Sequence, residues 1–234
     1  MKNTEILSNL EDQTIQIYRN LNQTSISELY KKQFQDIQSG MVAFFGIEKA
    51  TLLEQLIKLA DDSINDNNLE QKLNDFRQLD HEKLINHFKD EFERVFKQIA
   101  DANKQNEIQA LFIEYDYYYQ YSSYIICCGK QNYPIIEVPR YISNEYDYNK
   151  EVYLVDDGVN FQPAWIDCKE FSEFKYLGIQ SELEKLFQLQ SRVLLHKALA
   201  LLDEDKKLNL FKNIPFTIYI NEHDCEVMML YRIG

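Results

Sequence analysis

Apolar residues recur through the first hundred positions at the three- and four-residue spacings of a helix, and the period shortens toward two beyond about residue 104. Ile6, Leu7, Leu10, Ile17, Tyr18 and Leu21 predict a first helix, and Leu52, Leu53, Leu56, Ile57 and Ala60 repeat the stripe. Ser25 with Glu28 has the spacing of a capping box for a helix through Leu29, Phe34 and Ile37. Gly40 and Gly46 bracket an apolar connection, and DDSINDNN, residues 61 to 68, is a polar break. From Asp80 a long helix is expected, with Leu84, Phe88, Phe92, Val95, Phe96 and Ile99 on one face and Lys89, Glu93 and Lys97 on another.

Residues 110 to 117 and 122 to 128 alternate as strands, with a reversal at Tyr118 to Tyr121. EVYLVDDGVNF predicts a second hairpin, in which Asp157-Gly158 supplies the positive φ angles of a type I′ turn. Leu183, Leu186, Phe187, Gln190, Leu194, Ala198 and Leu201 then mark a helix to about Leu202, and FTIYI and CEVMMLYRI form a last antiparallel pair. The expected class is α+β: a helical region over 1–104, then an antiparallel sheet partly covered by helices over 105–234, with the two able to pack as one domain.

With 38 acids against 25 bases the formal charge is −13, so nucleic acid and anionic membranes are repelled and basic partners attracted. Six Gly and four Pro leave no room for long linkers, and 45% hydrophobic content can fill a core. No apolar run reaches the length of a signal-peptide core or a membrane span, which predicts a cytoplasmic protein. Cys127, Cys128, Cys168 and Cys225 form no C-x-x-C pair and are expected as reduced, buried thiols.

Phosphate-cradling and nucleophile-elbow motifs are absent. His81 and His87 are six apart, about 120° around a helix, so they do not share a metal and are expected on its surface. His223 and Cys225 share a strand face without a second ligand cluster, and His196, near a helix end, is expected to meet solvent or carbonyls. No metal or cofactor is implied. Asp61-Asp62, Asp156-Asp157 and Glu145 with Asp147 suit either cation binding or plain solvation.

One stretch stands apart: LFIEYDYYYQYSSY, residues 111 to 124, holds six tyrosines and two acids. In strand register Glu114, Asp116 and Tyr118 face one way and Ile113, Tyr115 and Tyr117 the other, giving a wet acidic face and a half-buried aromatic one. Tyr119 and Tyr121 continue the cluster, and Glu145, Tyr146, Asp147 and Tyr148 repeat the association of Tyr with acid. Tyrosine presents broad area and a hydroxyl at small entropy cost, which suits a recognition surface; strands also favour aromatics for packing alone.

DHEKLINHFKDEFERVF, EIQALFIEYDYYYQYSSYIICCG, the late helix and NIPFTIYINEHDCEVMMLYRI, in that order over about residues 80 to 234, resemble bacterial immunity proteins of interbacterial toxins. The resemblance implies a stoichiometric inhibitor and no enzyme. The leading expectation is therefore an immunity or antitoxin-like protein that masks the functional surface of a basic protein toxin. Its partner-binding residues would be those two Tyr and acid clusters together with Asp156 and Asp157. The alternative is a hydrolase or transferase assembled from dispersed residues such as Asp156, Asp157, Cys168 and His223.

Overall fold

Residues 2–23, 66–116, 120–136, 151–165, 179–222 and 227–234 are the described part of the chain in the computed structural model. They form helices α1 (Asn3–Gln23), α2 (Asp66–Arg77), α3 (His81–Asp101) and α4 (Ile179–Glu204). The strands are β1 (Ala110–Asp116), β2 (Gln120–Cys128), β3 (Glu151–Val155), β4 (Phe216–Glu222) and β5 (Val227–Ile233). The capping box at Ser25 and the 52–60 stripe lie outside the described residues. The polar break is shorter than its composition suggests, since Asp66, Asn67 and Asn68 already belong to the first turn of α2.

Helix α3 begins where the sequence places it. The Asp80 carboxylate accepts the Lys83 N–H at 3.0 Å, satisfying one donor that the first turn leaves unpaired. Leu84, Phe88, Phe92, Val95, Phe96 and Ile99 are all buried. In α4 the expected face is buried except at its end, where Leu201 is exposed and Leu202 buried. Residues 191 to 196 are buried without a break, so this part of the helix has no single apolar stripe to read.

The strands form one five-stranded sheet in the order β3-β2-β1-β4-β5, and the class is α+β. Three pairings are antiparallel, but β1 and β4 run parallel, with Ala110 opposite Thr217 and Glu114 opposite Asn221. A parallel pair needs a crossover, supplied here by the long excursion through β2, β3 and α4. On one face Tyr115 lies 5.0 Å from Phe161, which lies 5.8 Å from Phe88 of α3; Phe216 stacks on Phe211, and Phe211 meets Phe96 edge-on. On the other face Phe112 stacks on Tyr219 at 4.7 Å. Residues of the 129–136 segment cover that pair: Tyr133 donates its hydroxyl to the Gly129 carbonyl, and the Tyr219 hydroxyl donates to the Pro134 carbonyl.

Two compact units emerge, with boundaries inside α1 and α4 and at 79/80 and 164/165. One, residues 1–11, 80–164 and 191–234, holds the whole sheet with α3. In the other, residues 12–79 and 165–190, Tyr18 stacks on Phe76 and Phe76 meets Phe187 edge-on.

The second expected hairpin does not form. After β3 the chain bends through Asp156 and Asp157 and continues along β2: Gly158 N–H donates to the Ser123 carbonyl at 2.7 Å, and Ser123 N–H donates to the Val159 carbonyl at 3.0 Å. Ser122 bridges Asn160. Both segments pair with the nine-residue β2 instead of with each other. Gly158 does not take the left-handed conformation a type I′ turn requires. It is glycine because a Cβ would meet the Ser123 carbonyl at 2.6 Å and Ile125 at 2.9 Å.

His196 is also not where its position near a helix end suggests. It is 2% exposed, edge-on to Tyr231 at 5.1 Å, with no well-formed hydrogen bond at either ring nitrogen. Burial lowers its pKa to about 4, with the Asn3 backbone and Glu11 acting in the opposite direction. The unfolded chain takes up this proton below about pH 6.5 and the folded chain only below about 4. Stability from His196 is therefore full above 6.5 and declines as pH falls toward 4, by about 3 kcal/mol in all. The gap in unfolding free energy between the parent and His196→Phe should narrow in the parent's disfavour by that amount between pH 7 and pH 4. A pH-independent gap in urea titrations would show that the ring titrates normally.

Candidate partner-binding site

Glu114 and Asp116 sit at the C-terminal end of β1, both half-buried. Alternation holds as expected through 113–116, since Ile113 and Tyr115 are buried on the opposite face. Glu114 lies between Tyr124 on β2 and Asn221 on β4, and the Asn221 amide donates to its carboxylate at 3.2 Å. Asp116 stands opposite Gln120 across an irregularity in the ladder, and Tyr115 stands opposite Glu222. Among the described residues of this end, Tyr124 is an aromatic that meets solvent, 37% exposed.

Asp156 and Asp157 reach the same end from β3. The Ser122 hydroxyl donates to Asp157 at 3.0 Å, two residues along β2 from Gln120. One sheet end thus gathers Glu114, Asp116, Asp156, Asp157 and Glu222, drawn from β1, β4 and the segment after β3. Tyr118 and Tyr119, and Glu145, Tyr146, Asp147 and Tyr148, lie outside the described residues; Tyr121 belongs to β2, its side chain undescribed.

The 157–160 segment is held by three α3 side chains, of which the sequence singled out His87 alone, as a surface residue. His87, Glu91 and Arg94 follow one another at four and three residues along α3, so they share a face of it. His87 Nε2 lies 2.8 Å from the Asn160 carbonyl, Glu91 accepts the Asn160 N–H at 3.0 Å, and Arg94 donates to the carbonyls of Asp157 and Gly158. Arg94 also pairs with Glu91 at 2.9 Å and with Asp157 at 3.3 Å. Side chains therefore do here what a neighbouring strand would do. The i, i+4, i+7 spacing was the available signal, but nothing in it names the backbone it serves. Asp157 is accordingly both a surface acid and a structural acceptor.

Desolvation, followed by the neighbouring Cys128 and Glu151, pushes the Cys127 thiol far above the range of a nucleophile, and both Cys127 and Cys128 are buried and unbridged. Cys168, His223 and Cys225 lie outside the described residues. No group of three His, Cys, Asp or Glu able to hold a metal occurs among the described residues, and none of their helices is long and apolar enough to cross a membrane. Beneath the acidic end, the buried Arg192 donates to the Tyr115 hydroxyl at 2.7 Å and contacts Met228 Sδ at 3.3 Å, its Nε unpartnered.

Close packing, not turn geometry, fixes Gly158, and the two demands separate experimentally. Asn is well tolerated at φ above zero, so a type I′ turn would accept Gly158→Asn more readily than Gly158→Ala. Here both should lower stability by about 1–3 kcal/mol, because each places a Cβ against Ser123. Urea midpoints of the two variants check this; a near-neutral Asn variant would restore the turn. Comparisons of the chain with protein-family models, with curated proteins and with solved structures return no match.

Proposed function

We propose that this chain is a cytoplasmic, non-enzymatic binding protein of the immunity or antitoxin kind, which neutralises a basic protein toxin by masking its functional surface. The observation that carries the reading is the convergence of Glu114, Asp116, Asp156 and Asp157 with the exposed Tyr124 ring at one end of the sheet. A formal charge of −13 extends that field over the rest of the molecule and favours encounter with a cationic surface. Tyr124 supplies contact area where long-range attraction gives way to desolvation.

The end of the sheet also suits a rigid interface. Glu114 is oriented by Asn221, and Asp157 by Ser122 and Arg94, so these carboxylates lose little freedom when a partner docks. Catalysis would ask something different of them: a nucleophile, or an acid and base within reach of one reacting atom.

The test uses the partner captured from the native cell and its association kinetics at two salt concentrations. Glu114→Lys with Asp116→Lys should slow association about tenfold at low salt and flatten its salt dependence, leaving dissociation nearly unchanged, because steering acts on the encounter. Tyr124→Ala should instead speed dissociation, at a cost of about 2 kcal/mol if the ring anchors the interface. Unfolding midpoints of the same variants separate lost binding from lost folding. Unaltered kinetics in all three positions, with the partner still inhibited, would sink the assignment of this surface.

A further inference from the structure

The sheet has two outer edges, and they are treated differently. On β5 the Asn3 side chain acts as a short strand: its amide donates to the Arg232 carbonyl at 2.8 Å and its oxygen accepts the Arg232 N–H at 3.0 Å. Further along, the Met229 N–H is taken by the Ile136 carbonyl. Beyond β3, the α3 side chains His87, Glu91 and Arg94 occupy the backbone groups of 157–160. Unpaired strand edges invite pairing with other chains, and these contacts close them.

Between those closures, no described residue hydrogen-bonds the outer side of β3 at Leu154. Ser123 exchanges its N–H and carbonyl with 158–159, so by alternation Ile125 and Cys127 also point their backbone groups at β3, where they face Val155 and Tyr153. Cys128 points the other way, its carbonyl accepting the Gln109 N–H at 2.9 Å. Leu154 therefore directs its N–H and C=O away from β2, and neither makes a hydrogen bond to a described residue. Its side chain is 38% exposed, on the same sheet face as Tyr124, 37% exposed, on the adjacent strand. Exposed acids stand on either side of it along the chain, Glu151 before and Asp156 after.

We infer that the β3 edge at Leu154 is a docking site for an extended, basic segment of a partner protein, which adds as a sixth strand. Backbone bonds to Leu154 give the strand its place, Leu154 and Tyr124 receive its apolar side chains, and Glu151 and Asp156 pair with its cations. The charge selects the occupant: a second copy of this chain would bring the same acids and a formal charge of −13 against them. The inference rests on the reading of the chain as a binder of a basic partner and names the surface used.

The probe is an end-blocked nonapeptide alternating Lys and Val, compared with one carrying Glu in place of Lys and one N-methylated at alternate amides. The full chain should bind the Lys peptide and not the Glu peptide, and the Leu154 amide should exchange more slowly in its presence. N-methylation and Leu154→Pro, which leaves the β2 bonds of β3 intact, should each weaken binding about tenfold, the loss expected for one to two hydrogen bonds. Asp156→Lys should weaken it further at low salt than at high salt. Binding that ignores N-methylation and leaves Leu154 exchange unchanged would overturn the edge while leaving attraction to a basic partner standing. Absence of binding would overturn the edge as well, and the Glu114 and Asp116 kinetics then judge the wider reading separately. If Leu154→Pro lowers the unfolding midpoint, the exchange of the parent amide decides. A dimer in sedimentation that Leu154→Pro dissolves would replace the basic strand by a second copy.

Discussion

The parallel pairing of β1 with β4 is the constraint on which the acidic end depends. Residues 110–113 and 216–221 are buried, so the pair is covered on both faces and its register is strongly specified. Since the two strands run the same way, their C-terminal ends coincide. The polar residues that close each strand, Glu114 and Asp116 on one and Asn221 and Glu222 on the other, therefore meet at one end of the sheet. Antiparallel pairing would have sent them to opposite ends. The β1–β2 reversal and the Ser122 bond to Asp157 then add the acids that follow β3.

A sheet of this kind must also dispose of its edges, and the chain uses side chains to do so. Asn3 presents an amide to β5 with the donor and acceptor of a peptide unit, and α3 presents a cation, a carboxylate and an imidazole to 157–160. The latter arrangement has an electrostatic consequence. Arg94 partly offsets both Asp157 and Glu91. At the 157–160 segment, backbone closure and local charge pairing thus involve the same α3 side chains.

Much of this was legible in the sequence wherever a local period sufficed. The six buried residues of α3 and the Asp80 cap follow from spacing alone, as do β1, β2 and the final pair. What escaped was decided by residues distant in sequence. The Asp157-Gly158 signal presupposes that the flanking segments pair with each other, whereas β2 is long enough to hold both, and Gly158 answers to Ser123 and Ile125 instead. His196 is buried by Tyr231, thirty-five residues later, and helix position carries no information about depth. Glu114 and Asp116 could be singled out from the strand register; that Asp157 shares their end could not, because one hydroxyl on β2 makes the connection.

The tyrosines divide by the fate of their hydroxyls. Tyr115 is 2% exposed and its hydroxyl accepts from Arg192, Tyr219 is fully buried and bonds the Pro134 carbonyl, and Tyr231 bonds Asp203 at 3.0 Å. Burial raises the pKa of Tyr219 and of Tyr231, so both stay neutral donors. These rings do what Phe would do, with a hydroxyl that satisfies a polar group the core would otherwise strand. Tyrosine enrichment by itself is therefore no measure of an interface in this chain. Tyr124 differs: its ring is exposed, it stands opposite Glu114 in the ladder, and it shares a sheet face with Leu154 of β3. Of these four rings Tyr124 keeps exposed apolar area that docking could remove from water, whereas a ring already buried has none left to remove.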